Sequence, residues 1–204
     1  MLRFKRLRYF AGAGLSFLRA MPMSLMAAIM EPVGLRIWPN EIRKGISIVD
    51  VSRDTMPGFV RAIDEALTLV EQNDPLRFRR LQREIRTILN IPVITGAAYS
   101  RPYRTCRIDL RCFPVERDRE SAIVLLALTL IHEATHGYLH SRNVLQNKRN
   151  YARVEYLCRK EESRFARKMG LELNNWEARG SDAVPPKYGE VLKFGRNEIR
   201  RLRD

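Results

Sequence analysis

Apolar residues in this chain recur at helical spacing in some stretches and alternate with polar ones in others, and that division marks out the elements. Val60, Ile63, Leu67 and Val70 line one face of a helix that should open at Asp54-Thr55-Met56-Pro57 and run to about Glu71. Asp54 or Thr55 would cap it, with Pro57 in the first turn. A second helix should begin at Asn73-Asp74-Pro75, where Asp74 can cap, and carry Phe78, Leu81, Ile85, Ile88 and Leu89. Together these predict a helical hairpin. Ahead of it, residues 34–39 and 46–51 read as short strands, the second from Ile46, Ile48 and Val51 around Ser47 and Asp50.

From residue 91 to residue 115 the helical period stops, and Pro92, Gly96, Pro102 and Pro114 punctuate segments rich in Val, Ile, Tyr and Thr. Two or three strands are expected there. The most regular is 104–113, where Cys106, Ile108, Leu110 and Cys112 alternate with Thr105, Arg107, Asp109 and Arg111, as in a strand with one wet face. A long helix over 119–139 follows, then another over 151–169, with Gly170 where a C-terminal capping glycine belongs. The predicted fold is α+β: a helical hairpin, a small sheet and two long helices, one domain over 34–175. An extension (1–33) and a polar tail (176–204) flank it.

Length and composition agree with that division. A chain of 204 residues with 45% apolar and 29% charged residues fits one globular domain. Three cysteines, Cys106, Cys112 and Cys158, are too few and too irregular for a disulfide framework or a thiolate cluster, which points to a reducing, cytoplasmic setting. The net charge is +14. Residues 1–19 carry Arg3, Lys5, Arg6, Arg8 and Arg19 with no acid, and residues 193–204 carry five basic residues against Glu198 and Asp204, so the two ends supply +5 and +3 of that charge. Contact with a polyanion through these ends is therefore expected. Arg77, Arg79, Arg80, Arg83 and Arg86 form a further run on the second helix, best read as a solvated face. Arg19 and Pro22 interrupt the apolar part of the extension, and 122–131 is too short to span a bilayer, so no transmembrane segment is predicted.

The chemistry lies in Ile131-His132-Glu133-Ala134-Thr135-His136-Gly137-Tyr138-Leu139-His140, within the third helix. Residues four apart stand one above the other on a helix, so His132 and His136 can converge on one zinc ion. Glu133, about 100° round the helix, would sit beside the metal as general base rather than as a ligand. The residues before it, 122–131, are apolar except for Thr129, and polar groups emerging from so apolar a helix need partners. His140 lies about 12 Å along the axis from His132 and cannot share its ion while the helix continues, which leaves it a supporting or surface residue. Were the helix to break at Gly137, a closing histidine would be needed at Arg142. The third ligand should therefore be a carboxylate. Glu155, Glu161 and Glu162 on the last helix are the candidates. Val154, Leu157, Cys158, Phe165 and Met169 define an apolar stripe with Glu161 near its centre and the other two on one edge.

His132–His136 with a glutamate on a following helix resembles the gluzincins, zinc metallopeptidases similar to thermolysin. That resemblance implies a zincin-like fold, zinc as cofactor, peptide-bond hydrolysis and a third ligand about twenty residues on, which favours Glu155. Arg153-x-Glu155-x-x-Cys158-x-x-x-Glu162-x-x-Phe165-Ala166 also resembles small uncharacterised bacterial proteins with the His-Glu-Ala-Thr-His motif, and His140 with Phe165-Ala166 is weakly similar to the ImmA/IrrE type. Arg159 departs from the pattern, because four residues after the ligand glutamate the gluzincins usually place an aspartate that braces a histidine. A peptide substrate would add to an edge strand such as 104–113, with Tyr103, Tyr151 or Tyr188 polarising its carbonyl. The alternative is a nucleic-acid- or membrane-surface-binding protein with a structural or degenerate metal site.

Overall fold

The computed structural model describes residues 38–51, 56–113, 115–144, 147 and 149–171, with Glu31, Pro32 and Leu35. Most of the extension, the caps Asp54 and Thr55, the tail and Tyr188 lie outside the described residues. Within them the fold is α+β, a mixed sheet of five strands with four helices. In chain order these are β1 (Asn40–Arg43), β2 (Ile46–Asp50), α1 (Met56–Asn73), α2 (Pro75–Glu84), β3 (Thr87–Asn90), β4 (Ala97–Ser100), β5 (Thr105–Ile108), α3 (Arg119–Ser141) and α4 (Tyr151–Lys168).

The sheet order is β1-β2-β3-β5-β4, parallel between β2, β3 and β5 and antiparallel at both edges. The strand expected at 34–39 is not found where residues are described: Leu35 is helical, and the first strand is Asn40–Arg43. A two-residue turn sets it, because Lys44 and Gly45 both have positive φ, 51° and 78°, the geometry whose twist matches an antiparallel hairpin.

The hairpin of α1 and α2 crosses from β2 to β3. Val60, Ile63, Leu67 and Val70 are all buried, as their spacing implies. Asp74 caps α2 by accepting from the Arg77 amide, and Pro75 occupies its first turn. This helix ends earlier than expected. Ile85 turns extended, and Ile88 and Leu89 belong to β3, every residue of which is buried. A short apolar run fits a helix or a central parallel strand equally well, and only its neighbours decide.

The stretch 104–113 also divides. Its strand is confined to Thr105–Ile108, and Asp109 then accepts from the Arg111 amide to start a single 3-10 turn over Leu110–Cys112. This strand lies inside the sheet, between β3 and β4. Among the described residues the edge strands are β1 and β4, and the expectation that 104–113 offers one is corrected.

Helix α3 runs through the core, packed on α1, α2, α4 and β4. By length and composition it is the one described helix that could cross a membrane, yet 72% of its apolar window is buried inside the fold. Asp118 caps its start through the Ser121 amide, and Arg119 pairs with Glu65 of α1 at 2.8 Å. It continues past Gly137 to Ser141. There Asn143 takes a left-handed φ of 61°, and the amides of Asn143 and Val144 return to the carbonyls of His140 and Leu139. Helix α4 closes the same way at Gly170, with φ 71°.

Candidate metal centre

His132 and His136 stand one turn apart on the face of α3 that meets α4, and their Nε2 atoms are 3.1 Å apart. Glu155, in the second turn of α4, places one carboxylate oxygen 3.3 Å from His132 Nε2 and the other 3.4 Å from His136 Nε2. Ligand bonds of ~2.0–2.1 Å at tetrahedral angles put neighbouring ligand atoms roughly 3.3 Å apart. The two imidazoles and the carboxylate thus stand at separations in the range that one zinc ion would need, with a different carboxylate oxygen toward each histidine, and each side chain is largely buried. Their donor set, two imidazoles and a carboxylate, also suits that metal.

Two other residues of α4 face the same point. Glu162 meets His132 Nδ1 at 2.6 Å, which directs the Nε2 edge of that ring toward His136 and Glu155. A carboxylate brace is therefore present, seven residues after Glu155 rather than four, with Arg159 at the usual place. Cys158, fully buried, brings its thiol within 4.8 Å of the ligand nitrogens of both histidines. It could hold a metal in place of Glu155 or beside it. The sequence carried a signal for all three, since residues 155, 158 and 162 share one helical face. That signal was hidden because Cys158 reads as part of the apolar stripe.

Glu161 faces elsewhere. Its carboxylate pairs with Arg77 at 3.0 Å and Arg80 at 3.2 Å from α2 and with Arg164 at 2.6 Å, and it does not join the cluster. Arg77 and Arg80 are accordingly not a purely solvated face, because they hold α2 to α4.

Glu133 is only 5% exposed. The Tyr99 backbone amide on β4 faces its carboxyl and favours its charged form. The direction of that amide follows from the register. Asp109 donates to Gly96 at 2.8 Å, so hydrogen-bonded pairs fall at alternate residues and the amide of Tyr99 points to the open edge. Glu133 thus lies at the open edge of β4. The Tyr99 hydroxyl donates to the Glu84 carbonyl at 3.1 Å and lies against Gly137. A Cβ at Gly137 would come within 2.9 Å of Glu84 Cβ and 3.0 Å of the Tyr99 ring, so glycine permits the approach of α3 to β4. The sequence reading weighed Gly137 only as a helix breaker.

Buried together, these groups perturb one another. Burial raises the Glu133 carboxyl to about 7, with Glu155 and Glu162 adding to the shift and His132 and the Tyr99 amide opposing it. Burial opposes charge on His132 as well, but Glu162, Glu155 and Glu133 outweigh it and hold its pKa well above the ordinary value. His136 is pushed down to about 4 by burial and then by the charge of His132. Burial alone would raise Glu155, yet the two histidines and Arg159 bring it below the usual carboxylate value. The cluster thus sets two imidazoles among the carboxyl groups of Glu133, Glu155 and Glu162.

Of the expected tyrosines, Tyr151 is half exposed at the start of α4, raised by burial and by the charge of Glu155 and Glu133, and so lies near the cluster. Tyr103 is 43% exposed, and Tyr188 is outside the described residues. His140 accepts a hydrogen bond at Nδ1 from Arg101, at 2.9 Å, one turn beyond His136. No protein-family model, curated protein or solved structure matches this chain.

Proposed function

We propose that the protein is a zinc-dependent peptidase of the gluzincin kind, with a zincin-like arrangement in which α3 and α4 supply the metal ligands and β4 the substrate edge. The observation that carries this is the meeting of His132, His136 and Glu155: the two Nε2 atoms stand 3.1 Å apart, with one Glu155 oxygen 3.3 Å from the first and the other 3.4 Å from the second. Zinc held there would polarise a peptide carbonyl and make a water acidic enough to lose its proton near neutral pH. Glu133 takes that proton and returns it to the departing amine, for which a carboxyl with a pKa near neutrality is suited. Glu162 keeps His132 in one ring orientation. Tyr151, at the start of α4, would steady the carbonyl oxygen. A peptide pairing with the open edge of β4 would bring its backbone past Glu133.

Cys158 favours a second reading. If the thiol joined His132, His136 and Glu155, all four positions would be filled by protein, as in a structural zinc site, and the basic ends would make the chain a polyanion-binding protein. Purified full-length protein separates the two. In the peptidase reading it holds about one zinc per chain and cuts peptides, and Glu133→Gln keeps fold and zinc while losing cleavage. Full cleavage by Glu133→Gln overturns the catalytic assignment. Zinc lost from Cys158→Ser, with no cleavage by the parent protein, selects the structural reading.

A further inference from the structure

Arg101 and His140 form a pair that the proposed cleavage chemistry does not use. Arg101 is exposed, and its Nη2 donates to His140 Nδ1 at 2.9 Å. A guanidinium has only donors, so Nδ1 is the acceptor and the imidazole proton lies on Nε2. The pair therefore turns donors alone to its surroundings. Among the described residues no carboxylate forms an ion pair with Arg101.

Its place along the site is measured from Glu133 on two elements. On α3, His140 lies seven residues beyond Glu133, about 10.5 Å along the axis. On the sheet, Arg101 opens the turn after β4, two residues beyond Tyr99, whose backbone faces Glu133. At about 3.3 Å per extended residue, a peptide that runs along β4 past Glu133 thus reaches the pair about two or three residues on.

We infer that Arg101 and His140 form a carboxylate subsite, selecting peptides with an acidic group about two or three residues from the bond attacked. This rests on the peptidase reading for its register but not for its binding chemistry. The acid could be an Asp or Glu side chain or the free C-terminus of the peptide; both present the same two oxygens to the guanidinium and the imidazole N–H.

The test uses amidated decapeptides in which a single Glu is moved along an otherwise neutral sequence, and the neutral peptide with a free C-terminus. Binding to full-length Glu133→Gln protein is read by fluorescence anisotropy, and cleavage by the parent protein by mass spectrometry. One Glu register should bind on the order of tenfold tighter than the neutral peptide, with cuts about two or three residues from the Glu. Arg101→Ala added to Glu133→Gln should abolish that preference, while Arg79→Ala, an equal loss of charge at an exposed site on α2, should retain it. Preference for the free C-terminus over any internal Glu assigns the subsite to the terminal carboxylate. Binding that is independent of Glu position, or a preference surviving Arg101→Ala, overturns the subsite. A register-specific preference that depends on Arg101 without any cleavage upholds the subsite and rejects the peptidase reading.

Discussion

Glu155, Glu161 and Glu162 stand within eight residues of α4 yet meet three different surroundings, so the same substitution should have three different effects. Glu155 meets the Nε2 atoms of both histidines, Glu162 meets Nδ1 of one, and Glu161 meets three arginines. Glu155→Gln should lower zinc affinity steeply, because the amide removes the charge that offsets the metal's. Glu162→Gln should cost about 10–100-fold, the usual effect of a group that orients a ligand. Glu161→Gln should leave zinc affinity unchanged and weaken the tie between α2 and α4. Competition with a chromophoric chelator under one set of conditions ranks the three. A larger loss at Glu162 than at Glu155 would exchange their roles, and a larger loss for Cys158→Ser than for Glu155→Gln would make the thiol the third ligand.

Elements carry two further predictions. Gly137 lies inside α3, where alanine should favour the helix by about 1 kcal/mol. The added methyl would meet Glu84 at 2.9 Å and the Tyr99 ring at 3.0 Å, and overpacking of that kind costs about 1–3 kcal/mol. Crowding should win, so Gly137→Ala is expected to be destabilising in urea titrations; an unchanged or raised midpoint would show that Tyr99 yields easily. Asp74 joins α2 to α4, capping the first and pairing with Arg77 and with Lys168 at 2.8 Å. Burial would raise its carboxyl, but Lys168, the Arg77 amide and the Arg77 side chain outweigh it and lower it below the ordinary 3.8. A lowered carboxyl stabilises the fold above the unfolded value and loses that contribution as pH falls through the folded one. Asp74→Ala should therefore cost about 0.5–2 kcal/mol at pH 7 for the cap alone. The gap from the parent protein should narrow below ~pH 3.8. A gap of equal size at pH 7 and pH 2.5 would place the effect in packing rather than charge.

For the whole molecule, charge is concentrated at the ends: residues 1–19 carry five basic groups and no acid. Removing residues 1–30 should weaken binding to a polyanion such as heparin and flatten its salt dependence, since each phosphate or sulfate contact releases counterions. The same salt slope in the truncated protein would assign the binding to the folded domain, where Arg83, Arg101 and Arg142 are the first to replace. Much of the fold could be read from the sequence for a local reason. Caps and turns are short-range devices, so Asp74-Pro75 and Gly170 marked helix ends without any knowledge of the rest of the chain. The periodicity of α1 and the apolar run of α3 likewise marked buried helices, and the four-residue spacing of His132 and His136 placed both on one face. Other features depended on residues distant in sequence. Ile88 and Leu89 became strand because β2 and β5 flank them, and 105–108 became an interior strand because β4 covers its other side. Periodicity made Glu161 the centre of the α4 stripe, but Arg77 and Arg80, some eighty residues earlier, draw it away and turn Glu155, Cys158 and Glu162 toward the histidines. Spacing thus determined which side chains one helix could present together. Which of them meet across α3, α4 and β4 was decided by tertiary packing, because a buried charge settles against a partner that local sequence does not reveal.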